Sequence, residues 1–437
     1  TDHPGDELAP PTVGIAVAGG PGFALSADGR SRLHLGIDAG AGLDTNPYAV
    51  PLAEGSFEGD LVARIRPRAL IEYPGSLLAF EGDAVVDYGF LPGVIAHETQ
   101  NFLLYQSLVN ANLEVNRGGS FNFALGDTFA WNNDPGSVSL GTTFNRLTDE
   151  LRAGAGWRPG GGALDLKLTY AFDINKYLNA DGREELIEQG DLDNITNSVT
   201  LRADYKFLPK TGFFGLASIG WNTYLNHLAA PGTATDVNPD SYPFTVLVGV
   251  QGQLLAKVAG LLSVGYSNPF VFDTINENNT GAPQLVTGGL IGVIGQAEVQ
   301  WLPSPTTKLG VGFQRSFSPA PLYQYLGNDR FYANATQMLG GRFLLSINGG
   351  YSILELGQEQ TPLTNFSVGT ANGEGRLDQH INFIAAVSYF LTDWMSVGVT
   401  DGFDYHLTNA QDVSGAATPT NLSYIRNQTI VLASVLY

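Results

Sequence analysis

The sequence predicts an all-β protein, a transmembrane antiparallel β-barrel of about eighteen strands, with sixteen strands as the alternative. Two observations predict this fold. Apolar and polar residues alternate in successive segments along most of the chain, and the connections between these segments are in turn very short and then longer and polar. Short periplasmic turns on one rim and longer extracellular loops on the other are typical of outer-membrane barrels.

The first predicted strand, residues 32–46, shows the alternation most clearly. Its odd positions from 33 to 43 carry Leu, Ile or Ala, and its even positions carry His, Gly or Asp. Successive side chains of a strand point to opposite faces of the sheet, so this strand has one apolar and one polar face. A soluble β-sandwich would alternate as well, and the pattern of connections is what favours the barrel.

Eight connections are tight, and eight tight turns imply eighteen strands if both chain ends lie on the same side. The tight connections are 73–76, 117–120, 158–162, 208–211, 257–260, 302–306, 339–342 and 391–394. The intervening connections, such as 178–194, 228–241 and 356–374, are longer and polar.

The strands predicted between these connections follow in order. They are 32–46, 58–73, 76–90, 101–117, 120–132, 143–158, 163–177, 195–208, 211–226, 242–256, 259–272, 287–302, 306–318, 324–338, 342–355, 376–391, 395–408 and 422–437. The segments 306–318 and 324–338 have the weakest pattern, which is why sixteen strands remains the alternative.

Composition excludes several other classes. No run of about eighteen apolar residues is present, so membrane-spanning helices are excluded. The net charge of −20, from 22 Lys and Arg against 42 acidic residues, argues against a nucleic-acid partner. The chain has no cysteine, which fits passage through an oxidising compartment without disulfides.

Residues 1–31 do not follow the strand pattern. They are rich in Pro and Gly and contain one apolar stretch, residues 13–18. We expect either a periplasmic segment or a plug within the lumen, followed by the barrel over residues 32–437. Thr1 opens a polar segment with no recognisable signal peptide, so we expect the mature protein.

Aromatic residues are placed as two interfacial girdles would require, because Trp and Tyr collect where a barrel crosses the membrane surface. Some lie beside predicted short turns, and others lie near the opposite rim. The residues beside the turns are Tyr73, Trp157, Trp301 and Trp394, and those near the opposite rim include Tyr88 and Trp131. The outer-membrane lipid is therefore an expected partner.

A barrel of this strand number is too wide for side chains to fill, so we expect an aqueous lumen. Charged residues on the polar faces of four strands are its predicted lining. They are Asp60, Arg64, Arg66, Arg68 and Glu72 on the second strand, Glu81, Asp83 and Asp87 on the third, Arg146, Glu150 and Arg152 on the sixth, and Arg202, Asp204 and Lys206 on the eighth.

A tight turn at 73–76 predicts that Arg68 lies beside Glu81 and that Arg66 lies beside Asp83. Such a ladder of opposite charges is either an electrostatic constriction that orients polar solutes or a set of charges that satisfy one another on a wet wall. The sequence leaves both interpretations open.

Further round the predicted barrel, Gln296, Glu298 and Gln300 face the lumen with His380 and His406. Mixed charges with many amides suit a hydrated, uncharged or weakly charged polymer better than strong ion selectivity. An enzymatic function is not expected, since no ordered set of nucleophile, base and orienting residue is recognisable. No metal spacing or cofactor fingerprint is found either.

The opening strand, residues 35–47, carries the glycine-rich sequence LGIDAGAGLDTNP, with an Asp-x-Asn at its end. It resembles the first strand of outer-membrane β-barrel porins of the kind associated with exopolysaccharide export. The resemblance implies a conduit for a secreted polysaccharide that works with a periplasmic export protein. Since no helical-repeat domain is recognisable in this chain, that partner would be a separate protein.

Three functions are therefore open for a barrel in the bacterial outer membrane. The first is a translocation pore for polysaccharide export, and the second is a general diffusion porin for small hydrophilic solutes. The third is a structural or adhesive barrel whose acidic loop, residues 179–193, carries the function.

Overall fold

The chain forms one closed antiparallel barrel of eighteen long strands in the computed structural model. Each long strand pairs with the next along the chain, and the last pairs with the first. The structure describes residues 22–26, 30–46, 52, 59–91, 100–132, 145–178, 192–226, 240–273, 284–285, 292–320, 323–357, 368–370, 376–412, 420–421 and 423–437. The predicted fold class and the count of eighteen strands are confirmed.

The strands begin and end within about two residues of the predicted positions, except that the strand predicted at 259–272 ends at Asn268 and the strand predicted at 287–302 begins at Val293. They are β1 (Arg32–Asp44), β2 (Asp60–Pro74), β3 (Leu78–Leu91), β4 (Gln100–Val115), β5 (Phe121–Asn132), β6 (Asn145–Trp157), β7 (Leu164–Leu178), β8 (Asn194–Leu208), β9 (Thr211–Tyr224), β10 (Phe244–Leu255), β11 (Val258–Asn268), β12 (Val293–Ser304), β13 (Thr307–Ala320), β14 (Tyr323–Leu339), β15 (Phe343–Leu356), β16 (Arg376–Thr392), β17 (Met395–Thr408) and β18 (Tyr424–Leu436).

The connections alternate as expected, with one exception. On the rim that carries the longer loops, β13 and β14 are separated only by residues 321–322. Two small sheets also form on that rim, one from 272–273 with 284–285 and one from 368–370, 410–412 and 420–421. No helix among the described residues is long and apolar enough to cross a membrane.

Burial in the barrel is the reverse of that in a soluble protein. On β1, Leu35, Ile37 and Leu43 are 47%, 42% and 52% exposed, whereas Asp38 and Asp44 are 3% and 1% exposed. The apolar side chains point outwards and the charged ones point into the barrel, since successive strand residues face opposite sides. An apolar outer surface of this kind suits contact with lipid.

Aromatic side chains gather on the outer face at the rim of short turns. Phe121 stacks on Trp157 at 6.1 Å between ring centroids, and Trp394 meets Tyr437 edge-to-face at 6.3 Å. The predicted girdle residues Tyr73, Trp157 and Trp301 are 46%, 44% and 49% exposed. Tyr88 and Trp131 lie on the same outer face toward the other end of β3 and β5.

The predicted N-terminal segment meets the barrel at the rim of short turns. Phe23 and Ala24 pair with Leu33 and Arg32 of β1, and the Phe23 ring lies 5.3 Å from the Tyr437 ring. Residues 1–21 are outside the described residues, so whether they form a periplasmic segment or a plug stays a prediction.

A small apolar cluster sits on the inner face where the barrel closes. Its members are Val62, Leu91, Ile430 and Leu432, each no more than 2% exposed. Ile430 lies opposite Gly42 of β1, where a Cβ would come within 2.7 Å of the Ile430 Cα. Glycine at this position therefore allows the close approach of the first and last strands.

Replacement of Gly42 by Val should destabilise the closed barrel by about 1–3 kcal/mol, because the new side chain must displace β18. The measurement is the temperature at which the unheated protein loses its compact electrophoretic mobility in SDS. Ala41→Val on the lipid-facing side of the same strand is the control and should leave that temperature unchanged. Equal shifts in both variants would show that the seam does not depend on this glycine.

Candidate functional site

The inner wall of the barrel is the candidate functional site. All of the sequence-predicted lining residues lie on the inward face of β2, β3, β6 and β8. Toward the loop rim, Asp60 is 1% exposed and Arg146 donates to the Asn175 Oδ1 atom at 2.6 Å. Toward the other rim, Glu72 pairs in register with Glu81, and Lys206 is exposed.

The predicted pairing between β2 and β3 is wrong. Arg68 lies opposite Val85, and Asp83 lies opposite Leu70. The reason is the length of the turn. The last paired residues are Pro74 and Ala79, so residues 75–78 lie between them in place of the predicted two-residue turn. The register shifts by an even number of residues, so the charges keep their face and change their partners.

The observed partner of Arg64 and Arg66 is Asp87, which is fully buried. The Arg64 guanidinium donates to it from Nη2 at 2.5 Å and from Nε at 3.1 Å. The Arg66 Nε atom lies 3.2 Å from the same carboxylate. Asp83 instead accepts a hydrogen bond from the Asn110 side chain at 3.1 Å. One carboxylate thus serves two guanidinium groups.

A second group of contacts crosses the barrel seam. Arg426 of β18 donates to Asp44 of β1 at 2.7 Å, and Gln428 donates to the same carboxylate at 2.7 Å. Gln428 also accepts from Arg64 at 3.1 Å, which links this group to Asp87. Further down the seam, Arg68 lies 3.1 Å from Asp38.

The network continues onto β16 and β17. Asp378 accepts two hydrogen bonds from Arg376, at 3.0 and 2.7 Å, and a third from the Thr408 hydroxyl, and the His406 Nε2 atom lies 3.2 Å from it. His380 lies 2.8 Å from Asp404. We call the inner face of β16–β18 and β1–β3 the packed wall. Most of its charged side chains, including those of Arg376, Arg64 and Asp87, are less than 10% exposed to solvent.

The opposite side is more accessible, and we call the inner face of β5–β9 and β12–β14 the open wall. Here Arg202 donates to Asp204 at 2.8 and 2.9 Å, with side chains 33% and 27% exposed. Arg152 donates to Glu150 at 2.5 Å and is 35% exposed. Ion pairs therefore line this wall too. The Arg202–Asp204 pair is accessible to a solute on both side chains, whereas the Arg152–Glu150 pair is accessible mainly on Arg152.

The β12–β14 part of the open wall carries amides, one phenol and one carboxylate, together with the basic side chains of Lys308 and Arg330. The Tyr332 hydroxyl donates to Glu298 at 2.8 Å and accepts from Gln296 at 3.3 Å. Gln300 donates to the other Glu298 oxygen at 2.5 Å. Tyr332 and Glu298 are both half-buried.

These contacts decide what the wall can do chemically. Its charges largely neutralise one another, and what remains for a solute is hydrogen bonding from amides, hydroxyls and partly exposed ion pairs. In the described ranges, no group of three His, Cys, Asp or Glu residues is placed to hold a metal ion.

Four further residues belong to the site and were not predicted from the sequence, namely Asp38, Asp44, Gln428 and Tyr332. Asp38, Asp44 and Gln428 could have been predicted. A closed barrel with an even number of antiparallel strands pairs its first strand with its last, and the alternation shows which residues of both strands point inwards. Tyr332 could not be singled out in this way, since its role depends on which residue lies opposite it.

Comparisons with known proteins agree with the architecture. The family model described as "Putative beta-barrel porin 2" matches residues 35–353. No curated protein sequence matches this chain.

Several solved structures are similar at low identity. The siderophore receptor PirA from Pseudomonas aeruginosa is 7% identical with a TM-score of 0.41, over 93% of this chain and 80% of that chain. OpdQ from Pseudomonas aeruginosa is 10% identical with a TM-score of 0.43, over 93% and 98%. With TM-scores this low, neither similarity bears on what the present chain transports.

Removal of the buried carboxylate in Asp87→Ala should destabilise the barrel by about 3–5 kcal/mol, because two guanidinium groups lose the charge that offsets their burial. The measurement is the free energy of unfolding in urea, followed by tryptophan fluorescence in lipid vesicles. Asp204→Ala on the open wall is the matched control and should cost no more than about 1 kcal/mol. A cost for Asp87→Ala as small as the control would contradict the assignment of a packed wall.

Proposed function

Because this chain belongs to the family described as "Putative beta-barrel porin 2", we propose that it is a translocation pore of the bacterial outer membrane through which a secreted polysaccharide is exported. The pore is passive and has no enzymatic function. Its apolar outer face contacts the outer-membrane lipid, and its inner wall contacts the cargo.

The observation that carries this proposal is the self-neutralised inner wall. On both walls arginines are bound to carboxylates of the same barrel, as in Arg64 with Asp87 and Arg202 with Asp204, whereas Arg146 is bound to the Asn175 amide. A wall with paired charges exerts only a weak net field on a solute in the lumen, whereas unpaired charges of one sign would select strongly for counter-ions. A neutral, hydroxyl-rich chain can exchange hydrogen bonds with such a wall.

The strand number supports a polymer as cargo. Barrels of sixteen to eighteen strands leave an aqueous channel that side chains do not fill. Polysaccharide chains are extended and hydrated, so a wide channel lined by amides such as Gln296 and Gln300 suits them. A periplasmic export protein that delivers the polymer is the partner of this pore.

General diffusion of small hydrophilic solutes is the second candidate. The porin description of the family favours it, and so does the weak net charge of the wall. A structural or adhesive function is the third, and the greater part of the acidic loop on which it depends, residues 179–191, lies outside the described residues.

Deletion of the gene in its own host separates the three. Export predicts loss of extracellular polysaccharide with retention of polymer in the periplasm, and a wild-type copy should restore secretion. The measurements are cell-free polymer by total-sugar assay and uptake of a labelled small sugar in the same cultures. Normal secretion with slowed uptake would replace export by general diffusion, and no change in either would favour the structural function.

A further inference from the structure

The ring of Tyr332 lies on the inner wall directly over Gly312. Gly312 of β13 is its partner in register, and a Cβ there would lie 2.7 Å from the Tyr332 Cε2 atom. The phenol ring thus occupies the space that any other residue at position 312 would fill. One side of the ring is supported by the wall itself.

The ring is also held in orientation by its hydroxyl. Glu298 accepts from it and Gln296 donates to it, while Gln300 holds the second carboxylate oxygen of Glu298. A side chain held at both its ring and its hydroxyl has little rotamer freedom left to lose when a ligand binds. Tyr332 is therefore pre-organised.

Phe214 shows what a covered ring looks like in the same barrel. It also lies over a glycine, since a Cβ at Gly249 would be 2.6 Å from its Cζ atom. The Arg202 guanidinium caps Phe214 at 4.7 Å, and only 6% of Phe214 is exposed. Among the described residues no ring or guanidinium stacks on Tyr332, which is half-buried.

The chemistry beside the open ring defines the ligand class. A hexose ring presents C–H groups on its faces, which pack on an aromatic ring, and hydroxyls at its edge, which bond to planar amides and carboxylates. Gln296, Glu298 and Gln300 stand along one strand beside the ring, and Asn334 follows Tyr332 two residues along β14, over Gly310. The wall around Tyr332 thus offers an apolar ring face and polar side chains next to each other, as binding of a sugar requires.

We propose that Tyr332, with Glu298, Gln296 and Gln300, forms a saccharide subsite on the open wall that takes a neutral hexose chain. The subsite rests on the proposed function in that the polysaccharide in transit is its ligand. The hexose stacks on the free face of Tyr332, and its hydroxyls bond to the β12 side chains. Glu298 acts as a positioning residue as well, because it holds the phenol.

The test is saturation-transfer difference NMR with maltohexaose and the purified full chain in detergent. The wild type should transfer saturation to the sugar C–H protons. Tyr332→Ala should weaken binding about fivefold or more, because the stacking surface is lost. Tyr332→Phe keeps the ring over Gly312 but loses the hydroxyl bonds that orient it, so it should weaken binding about two- to threefold, less than Tyr332→Ala. A polyethylene glycol of similar mass should show no transfer that depends on Tyr332.

Tyr351→Ala is the matched control, since Tyr351 lies on neighbouring β15 and points to the outer face, where its hydroxyl donates to Gln379 at 3.0 Å. It should bind maltohexaose like the wild type, and heat-dependent SDS mobility shows whether each variant is folded. Equal binding by Tyr332→Ala and wild type, or no binding by wild type, would overturn the subsite. The NMR experiment measures binding and not export, so the two proposals can fail separately. A Tyr332-dependent NMR signal with normal secretion in the deletion strain would overturn the export function and support the subsite.

Discussion

The pairing of β1 with β18 is the constraint on which the rest of the structure depends. It removes both free edges of the sheet, so every long strand has two partners and no backbone edge faces lipid. This pairing also forms the seam. There Gly42 leaves room for Ile430, and Arg426 donates to Asp44, which is 382 residues away in the sequence. Without that pairing the buried charges at the seam would lose their partners.

Closure has a consequence for the lumen, because the walls on its two sides differ. On the packed wall, carboxylates such as Asp87 and Asp378 are fully buried and held by arginines, so this wall serves as a fixed support. On the open wall, the Arg202–Asp204 pair and the amides of Gln296 and Gln300 remain partly exposed. A solute that crosses the barrel is therefore expected to follow the open wall, where Arg202, Glu298 and Tyr332 offer hydrogen bonds and one uncovered ring.

Much of this could be predicted from the sequence, because a period of two fixes which face a side chain takes once a strand is recognised. The positions of the tight turns predicted the strand number, and the alternation predicted that Arg64 and Asp87 point inwards. The partner of Arg64 could not be predicted, since register depends on the width of the turn after Pro74, and alternation carries no information on that width. Tyr332 over Gly312 depends on register in the same way, and so does the apolar inner cluster around Ile430.

The most direct test of the central claim, that the inner wall carries almost no net field, is the reversal potential of the purified protein in a planar bilayer under a KCl gradient. The protein should form a conducting channel whose reversal potential lies near zero, because paired charges favour neither K⁺ nor Cl⁻. A reversal potential close to the Nernst potential of either ion would contradict paired charges on the wall, and absence of any conductance would contradict an open pore.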